Sequence, residues 1–191
     1  MPRPRPRRAP ALSDIDTVDK KTACINVVIE TTRGARTKLA YDAGHEAFVV
    51  KMVLPEGLSF PFDFGFIPST IGEDGDPLDV LVLMDAPVVT GCVVTAKPIG
   101  VIEARQKASG KNKKWIRNDR LLAIAVHAQT HGEARSIRDL RPHLLTEIKA
   151  FFVDYNLLRN RQFKPLRDRG PKAALKLIQA GRKVFKAQNG G

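Results

Sequence analysis

Between Cys24 and His127 the chain is a succession of short runs rich in Val, Ile and Phe, each broken by Gly or Pro, and after His127 the apolar period changes. Runs this short, bounded by turn formers, restrict the first part to a β-barrel or sandwich. The spacing predicts strands at 24–30, 36–41, 47–54, 80–84, 93–103 and 120–127, with Tyr41-Asp42-Ala43-Gly44 turning a hairpin between the second and third. Beyond them Leu144, Leu145, Ile148, Phe151, Phe152, Tyr155 and Leu158 recur at helical spacing and predict an amphipathic helix over 143–158. Pro171 opens a second helix through Leu175, Ile178, Val184 and Phe185, with Gly181 as its weak point. The expected fold class is α+β, mainly β, with C-terminal helices flanking the strands.

A chain of 191 residues makes one domain with a sizeable core. The expected division is a basic, Pro-rich disordered tail at 1–20, a body at 21–160 holding the strands and the first helix, and a basic helical extension at 161–191. Cys24 and Cys92 lack the spacing of a disulfide framework or zinc knuckle, which fits a reducing cytoplasm. No apolar run approaches the length that spans a bilayer, so no membrane partner is expected.

The net charge of +12 suggests nucleic acid until it is apportioned along the chain. Four Arg fall in residues 1–10, seven Lys or Arg stand against Asp119 in 105–120, and ten stand against Asp168 in 159–191. The remainder is therefore net acidic, a body with basic appendages. A solvated surface is the commoner meaning of such appendages, and nucleic-acid binding is a secondary expectation.

Within the acidic body lies Gly72-Glu73-Asp74-Gly75-Asp76-Pro77-Leu78-Asp79, running straight into Val80-Leu81-Val82-Leu83. Asp74, Asp76 and Asp79 would repel one another without a cation, and oxygen ligands so dense suit a hard divalent ion such as Mg²⁺. An EF-hand counted from Asp74 fails, because its fifth, sixth and twelfth positions hold Leu78, Asp79 and Asp85. His127 and His131 have helical spacing but no third ligand, so they read as ordinary polar histidines. Trp115, alone in a basic loop, reads as packing rather than as a stacking platform.

Phe66-Ile67-Pro68-Ser69-Thr70, then Asp74-Gly75-Asp76-Pro77-Leu78-Asp79-Val80-Leu81-Val82-Leu83, then Lys97-Pro98-Ile99-Gly100-Val101 resemble the family I soluble inorganic pyrophosphatases in their usual order. The resemblance runs from about Ile25 to Tyr155. It implies a five-stranded OB-like barrel with packed helices, Mg²⁺ as cofactor, pyrophosphate or a related phosphoanhydride as substrate, and a homo-oligomer. It also implies residue roles. Asp74 and Asp79 resemble metal ligands, and Asp76 the carboxylate that orients or deprotonates the attacking water while also facing metal. Glu30 resembles a glutamate that reaches a further metal through water, and Lys38 and Tyr155 resemble phosphate-binding side chains.

The departures from that pattern are equally specific. Ala40 stands at a second glutamate, Lys51 at a phosphate-gripping arginine, Phe60 and Phe64 at two tyrosines, Gln106 at a metal-binding aspartate, and Asn156 at a phosphate-binding lysine. The insertion at 111–117 leaves two registers. The preferred one puts Asn118 at the last metal-binding aspartate and Arg120 at a phosphate-binding lysine, whereas a one-residue slip would bring in Asp119. The expected activity is Mg²⁺-dependent hydrolysis of diphosphate by an activated water. The rival reading is a pyrophosphatase-like fold that holds RNA or another polyanion without catalysis.

Overall fold

A computed structural model describes residues 11–107 and 114–189. Its strands are β1 (Ile25–Thr31), β2 (Thr37–Asp42), β3 (Ala47–Val53), β4 (Asp63–Ile67), β5 (Leu78–Leu83), β6 (Val93–Lys107), β7 (Trp115–Arg117), β8 (Arg120–Ala125) and β9 (Gln162–Arg169), and its α-helices are α1 (Leu144–Leu157) and α2 (Pro171–Asn189). Five strands close on themselves in the order β1-β4-β5-β8-β6, with β6 returning to β1. This closed ring matches the expected OB-like architecture. All its pairings are antiparallel except β5 with β8. The β2–β3 hairpin stands off the ring, its turn fixed by Asp42 Oδ1 accepting from the His45 amide at 3.0 Å.

Why the ring strands read as continuous apolar runs is clear from their packing. On β5 and β8 alternate residues serve two different cores. Leu81, Leu83, Leu122 and Ile124 pack with Phe60, Phe64 and the buried stripe of α1, Ile148, Phe151, Phe152 and Tyr155. Val80, Val82, Leu121 and Ala123 pack on the opposite side with β1 and with Ala174 and Ile178 of α2. The two helices thus cover opposite faces of the same ring.

Three strands were not anticipated, β4, β7 and β9, and the predicted final strand stops at Ala125, leaving His127 in a turn. β9 lies within the expected extension and pairs along the C-terminal part of β6, from Lys107↔Gln162 to Val101↔Arg169. Residues 1–10 of the expected tail, and Lys111, Asn112 and Lys113 of the basic loop, lie outside the described residues. From residue 11 the chain is held: Ser13 O accepts from the Ser69 amide at 2.8 Å, and Thr17 Oγ1 donates to Pro68 O at 3.0 Å. Those bonds press it against the loop between β4 and β5.

Gly181 is a contact rather than a weak point. Helix α2 runs through it unbroken, and its carbonyl accepts from the Ile71 amide at 3.1 Å. A Cβ there would meet Leu78 Cδ1 at 2.9 Å and crowd Ile71 O and Thr70 Cβ at 3.2 Å, so the absence of a side chain eases the close approach of α2 to the aspartate loop.

Candidate active site

The loop joining β4 to β5 carries the aspartates, and its backbone is tied before any ligand arrives. Thr70 Oγ1 donates to Ile67 O at 2.6 Å and accepts from the Leu78 amide at 3.1 Å, while Gly72 N donates to Asp76 O at 2.7 Å. Gly75 turns the loop at φ 88°, a conformation that favours glycine. Asp76 N donates to Asp74 Oδ1 at 3.3 Å. The β5–β8 pairing is parallel and aligns Val80 with Leu121, so Asp79 and Arg120, one residue earlier on each strand, stand side by side.

Asp74, Asp76, Asp79, Glu30, Lys38, Lys51, Asn118, Arg120 and Tyr155, the full set of expected site residues, line one cavity of about 600 Å³. Ala40, Phe60, Phe64 and Gln106 line it as well, but Asn156 does not. Asn156 is buried with its Nδ2 turned back on Phe152 O at 2.8 Å. Asp119 lies elsewhere: it accepts from the Ala104 amide at 2.9 Å and pairs with Arg117 Nε at 2.8 Å, beside a smaller cavity of about 330 Å³ between the loop and α2. Of the two registers, the one with Asn118 and Arg120 reaches the larger cavity.

Inside that cavity several charges are already partnered. The buried Lys38 Nζ and Glu30 Oε2 lie 2.9 Å apart, and Glu30 Oε1 accepts from the Tyr41 amide at 2.8 Å. Lys38 Nζ also sits 4.1 Å from the centre of the Phe64 ring, so the face of a phenyl ring supports the ammonium. Burial raises the Glu30 carboxyl above its ordinary range despite the attraction of Lys38. Arg120 Nη1 is 2.6 Å from Asp79 Oδ2, donates also to Asn118 Oδ1, and lies against the rings of Phe152 and Phe163. Asn118 Nδ2 in turn donates to Gln106 Oε1 at 3.1 Å. Two amides and a guanidinium therefore form one chain of hydrogen bonds ending on Asp79.

The remaining carboxylates are under electrostatic pressure. Desolvation, then the charges of Asp79 and Asp76, push Asp74 up to about 6. Asp76, exposed at the mouth, is raised by partial desolvation and by Asp79, against the lowering influence of Lys51 and Arg161. A cation between these oxygens would relieve the repulsion. Among the described residues no group of three His, Cys, Asp or Glu forms a ready-made metal cage, and His127 and His131 contribute none. That donor set fits Mg²⁺, which takes one or two carboxylates and fills its other positions with water and substrate phosphate.

The raised Asp74 has a consequence for stability with a definite sign. A carboxyl whose folded value exceeds its unfolded one stabilises the fold below pH ~4 and loses that contribution as pH rises through about 6. Metal-free protein at pH 7.5 thus carries a destabilising ionised Asp74. An Asp74→Asn chain is expected to be more stable than wild type in EDTA at pH 7.5 by about 1 kcal/mol, a figure reduced for the solvent that reaches this half-exposed group. The gain should vanish toward pH 4, as read by urea unfolding at the two pH values.

The family model described as inorganic pyrophosphatase matches residues 27–186. The chain belongs to the inorganic pyrophosphatase family. It is 35% identical over 166 residues to an inorganic pyrophosphatase of Synechocystis sp., covering 87% of this chain and 94% of that one. Over 131 residues it is 40% identical to soluble inorganic pyrophosphatase 2 of Chlamydomonas reinhardtii, covering 69% of this chain and 65% of the relative. The inorganic pyrophosphatase of Thermus thermophilus superposes with a TM-score of 0.83 at 30% identity, over 93% of this chain and 99% of that structure. Against this pyrophosphatase background two cavity residues stand out that the sequence reading passed over, Arg159 and Arg161. The signal that could have found Arg159 is its i, i+4 spacing from Tyr155, which puts both on one face at the end of α1.

Proposed function

We propose that this chain hydrolyses inorganic diphosphate to two orthophosphates with Mg²⁺ as its cation, acting in the cytoplasm as a homo-oligomer. The observation that carries the reaction is the convergence of Asp74, Asp76 and Asp79 with Lys38, Lys51, Arg120 and Tyr155 on one cavity, in a chain of this family. The free thiols of Cys24 and Cys92 support a reducing compartment, and no helix among the described residues is long and apolar enough to cross a membrane. The homo-oligomer is supported by the family resemblance.

Asp74 and Asp79 would hold the cation, joined by Asp76 at the mouth, with Glu30 and Asn118 behind them. Bound Mg²⁺ supplies charge shielding for the diphosphate and lowers the pKa of coordinated water. Asp76 takes the proton of the attacking water, a role suited to a carboxylate whose basicity is raised by partial desolvation and then by Asp79. On the substrate side, Arg120 is fixed by Asp79 and Asn118 and needs no reorganisation to meet a phosphoryl oxygen. Lys38 keeps further N–H donors after pairing with Glu30. Burial raises Tyr155 above the ordinary phenol range, so at working pH it remains a neutral hydroxyl able to donate to phosphate. Lys51, from the β2–β3 hairpin, supplies a point charge at the rim.

The rival polyanion-binding reading is separated by salt. Orthophosphate release from pyrophosphate at saturating MgCl₂ and substrate is expected to change less than about threefold between 50 and 200 mM NaCl, whereas capture of RNA through many Lys and Arg falls by about 10³-fold or more over that range. Salt-sensitive RNA binding without phosphate release would favour the rival.

A further inference from the structure

Of the five Lys and Arg side chains that line the cavity, two are committed to carboxylates and three are not. Lys38 is paired with Glu30 and Arg120 with Asp79. Lys51, Arg159 and Arg161 also line the cavity, yet none of the three forms an ion pair with a described residue. Arg159 and Arg161 leave the end of α1 on a short turn held by its own backbone: the amides of Arg159 and Arg161 donate to Asn156 O at 3.0 and 2.9 Å, and Asn160 N donates to Leu157 O at 2.9 Å. Asn160 sits at φ 52°, a region that asparagine tolerates better than most residues. The turn is thus fixed before a ligand arrives.

Arg159 is oriented as well as placed. Its Nη1 donates to the Tyr155 hydroxyl at 3.0 Å, and its guanidinium carbon lies 5.4 Å from the centre of the Tyr155 ring. A phenol does not neutralise a guanidinium, so the charge and most of the five N–H donors are left for another acceptor. Phe152, Tyr155 and Arg159 form one stripe along α1 facing the cavity, whereas Asn156 is turned into the protein with its Oδ1 buried and without a partner. A cationic side chain at the end of this helix therefore reaches the cavity from position 159, not from 156. Both arginines are only partly exposed, which reduces their competition from water.

We propose that Arg159 and Arg161, together with Lys51, form a subsite that holds one phosphoryl group of the substrate. The inference rests on the diphosphate reading of the same cavity and adds residues to it. It makes the turn after α1 a determinant of substrate affinity rather than part of a solvated basic extension. Two guanidinium groups, that of Arg159 already held on Tyr155, can each grip phosphate oxygens in pairs, a geometry that Lys51 alone cannot supply.

Calorimetric titration with imidodiphosphate in MgCl₂, a diphosphate analogue bridged by nitrogen, tests the subsite by binding alone. Wild type is compared with Arg159→Gln/Arg161→Gln and with Arg159→Lys/Arg161→Lys, all checked for an unchanged melting temperature. The Gln pair is expected to raise Kd by about 10- to 100-fold, the loss of two charge-assisted contacts, and the Lys pair by less. In turnover of pyrophosphate the Gln pair should raise KM by a similar factor while kcat stays within about threefold, the mark of lost binding energy shared by ground and transition states. An unchanged Kd in the Gln pair, or a wild type that binds no imidodiphosphate, overturns the subsite. A wild type that binds the analogue but releases no orthophosphate from pyrophosphate contradicts the assigned reaction, while the Kd comparison still decides the subsite.

Discussion

Asp76→Ala is expected to lower kcat for pyrophosphate hydrolysis by about 10²- to 10⁴-fold, the usual loss when a positioned general base is removed. Its fold should be untouched. The Asp76 side chain is exposed and makes no hydrogen bond or ion pair with a described residue; what the position contributes to the loop is its backbone carbonyl, accepting from Gly72 N, and its amide, donating to Asp74. Alanine preserves both. KM should change far less than kcat, because the phosphate-facing cations Lys38, Lys51 and Arg120 are left in place. Steady-state kinetics beside urea unfolding checks both halves, and a large loss of stability would move Asp76 from chemistry to scaffold.

The second large effect is on folding. Lys38→Met is expected to cost about 3–5 kcal/mol at neutral pH, because it leaves Glu30 ionised and buried without its partner. Desolvation already outweighs Lys38 and the Tyr41 amide in setting the Glu30 carboxyl, which is raised even in the intact pair. The sign follows from that direction: a raised folded value means the deficit is greatest well above it and shrinks as acid protonates Glu30. Adding Glu30→Gln to Lys38→Met should recover most of the loss, since two neutral groups of similar shape replace the pair. Urea denaturation of the three variants at pH 7.5 and pH 4.5 measures both the recovery and the pH dependence. A deficit that did not shrink in acid would place the cost in packing against Phe60 and Phe64 instead.

These two residues also show how far the sequence could be read. The aspartates are adjacent in the chain, so their convergence needs no fold to be inferred, and the Gly and Pro between them announce a shaped loop. Lys38 and Glu30 stand on different strands, and their mutual pairing appears only when β2 folds beside β1. Strand β4 was hidden because Gly65 and the flanking Pro61 and Pro68 read as breakers, although Gly65 is what lets β4 lie close on β1: a Cβ there would fall 2.0 Å from Val28 O. Strand β9 was hidden by its polarity. Of its residues only Phe163 is buried, and Pro165 disguises an edge strand whose order comes from pairing with β6. Arg159 and Arg161 were lost in the same stretch, counted with a basic segment rather than with the cavity they line.

Hydrolysis of diphosphate in the aspartate-lined cavity with a divalent cation requires that turnover follow the metal. Orthophosphate release from pyrophosphate by purified wild-type protein, with MgCl₂ and with EDTA in its place, tests it most directly. Steady release is expected in magnesium, stopping in EDTA and returning when MgCl₂ is restored. Release that continues unchanged in EDTA, or none at any magnesium concentration from a protein with an intact fold, would contradict it.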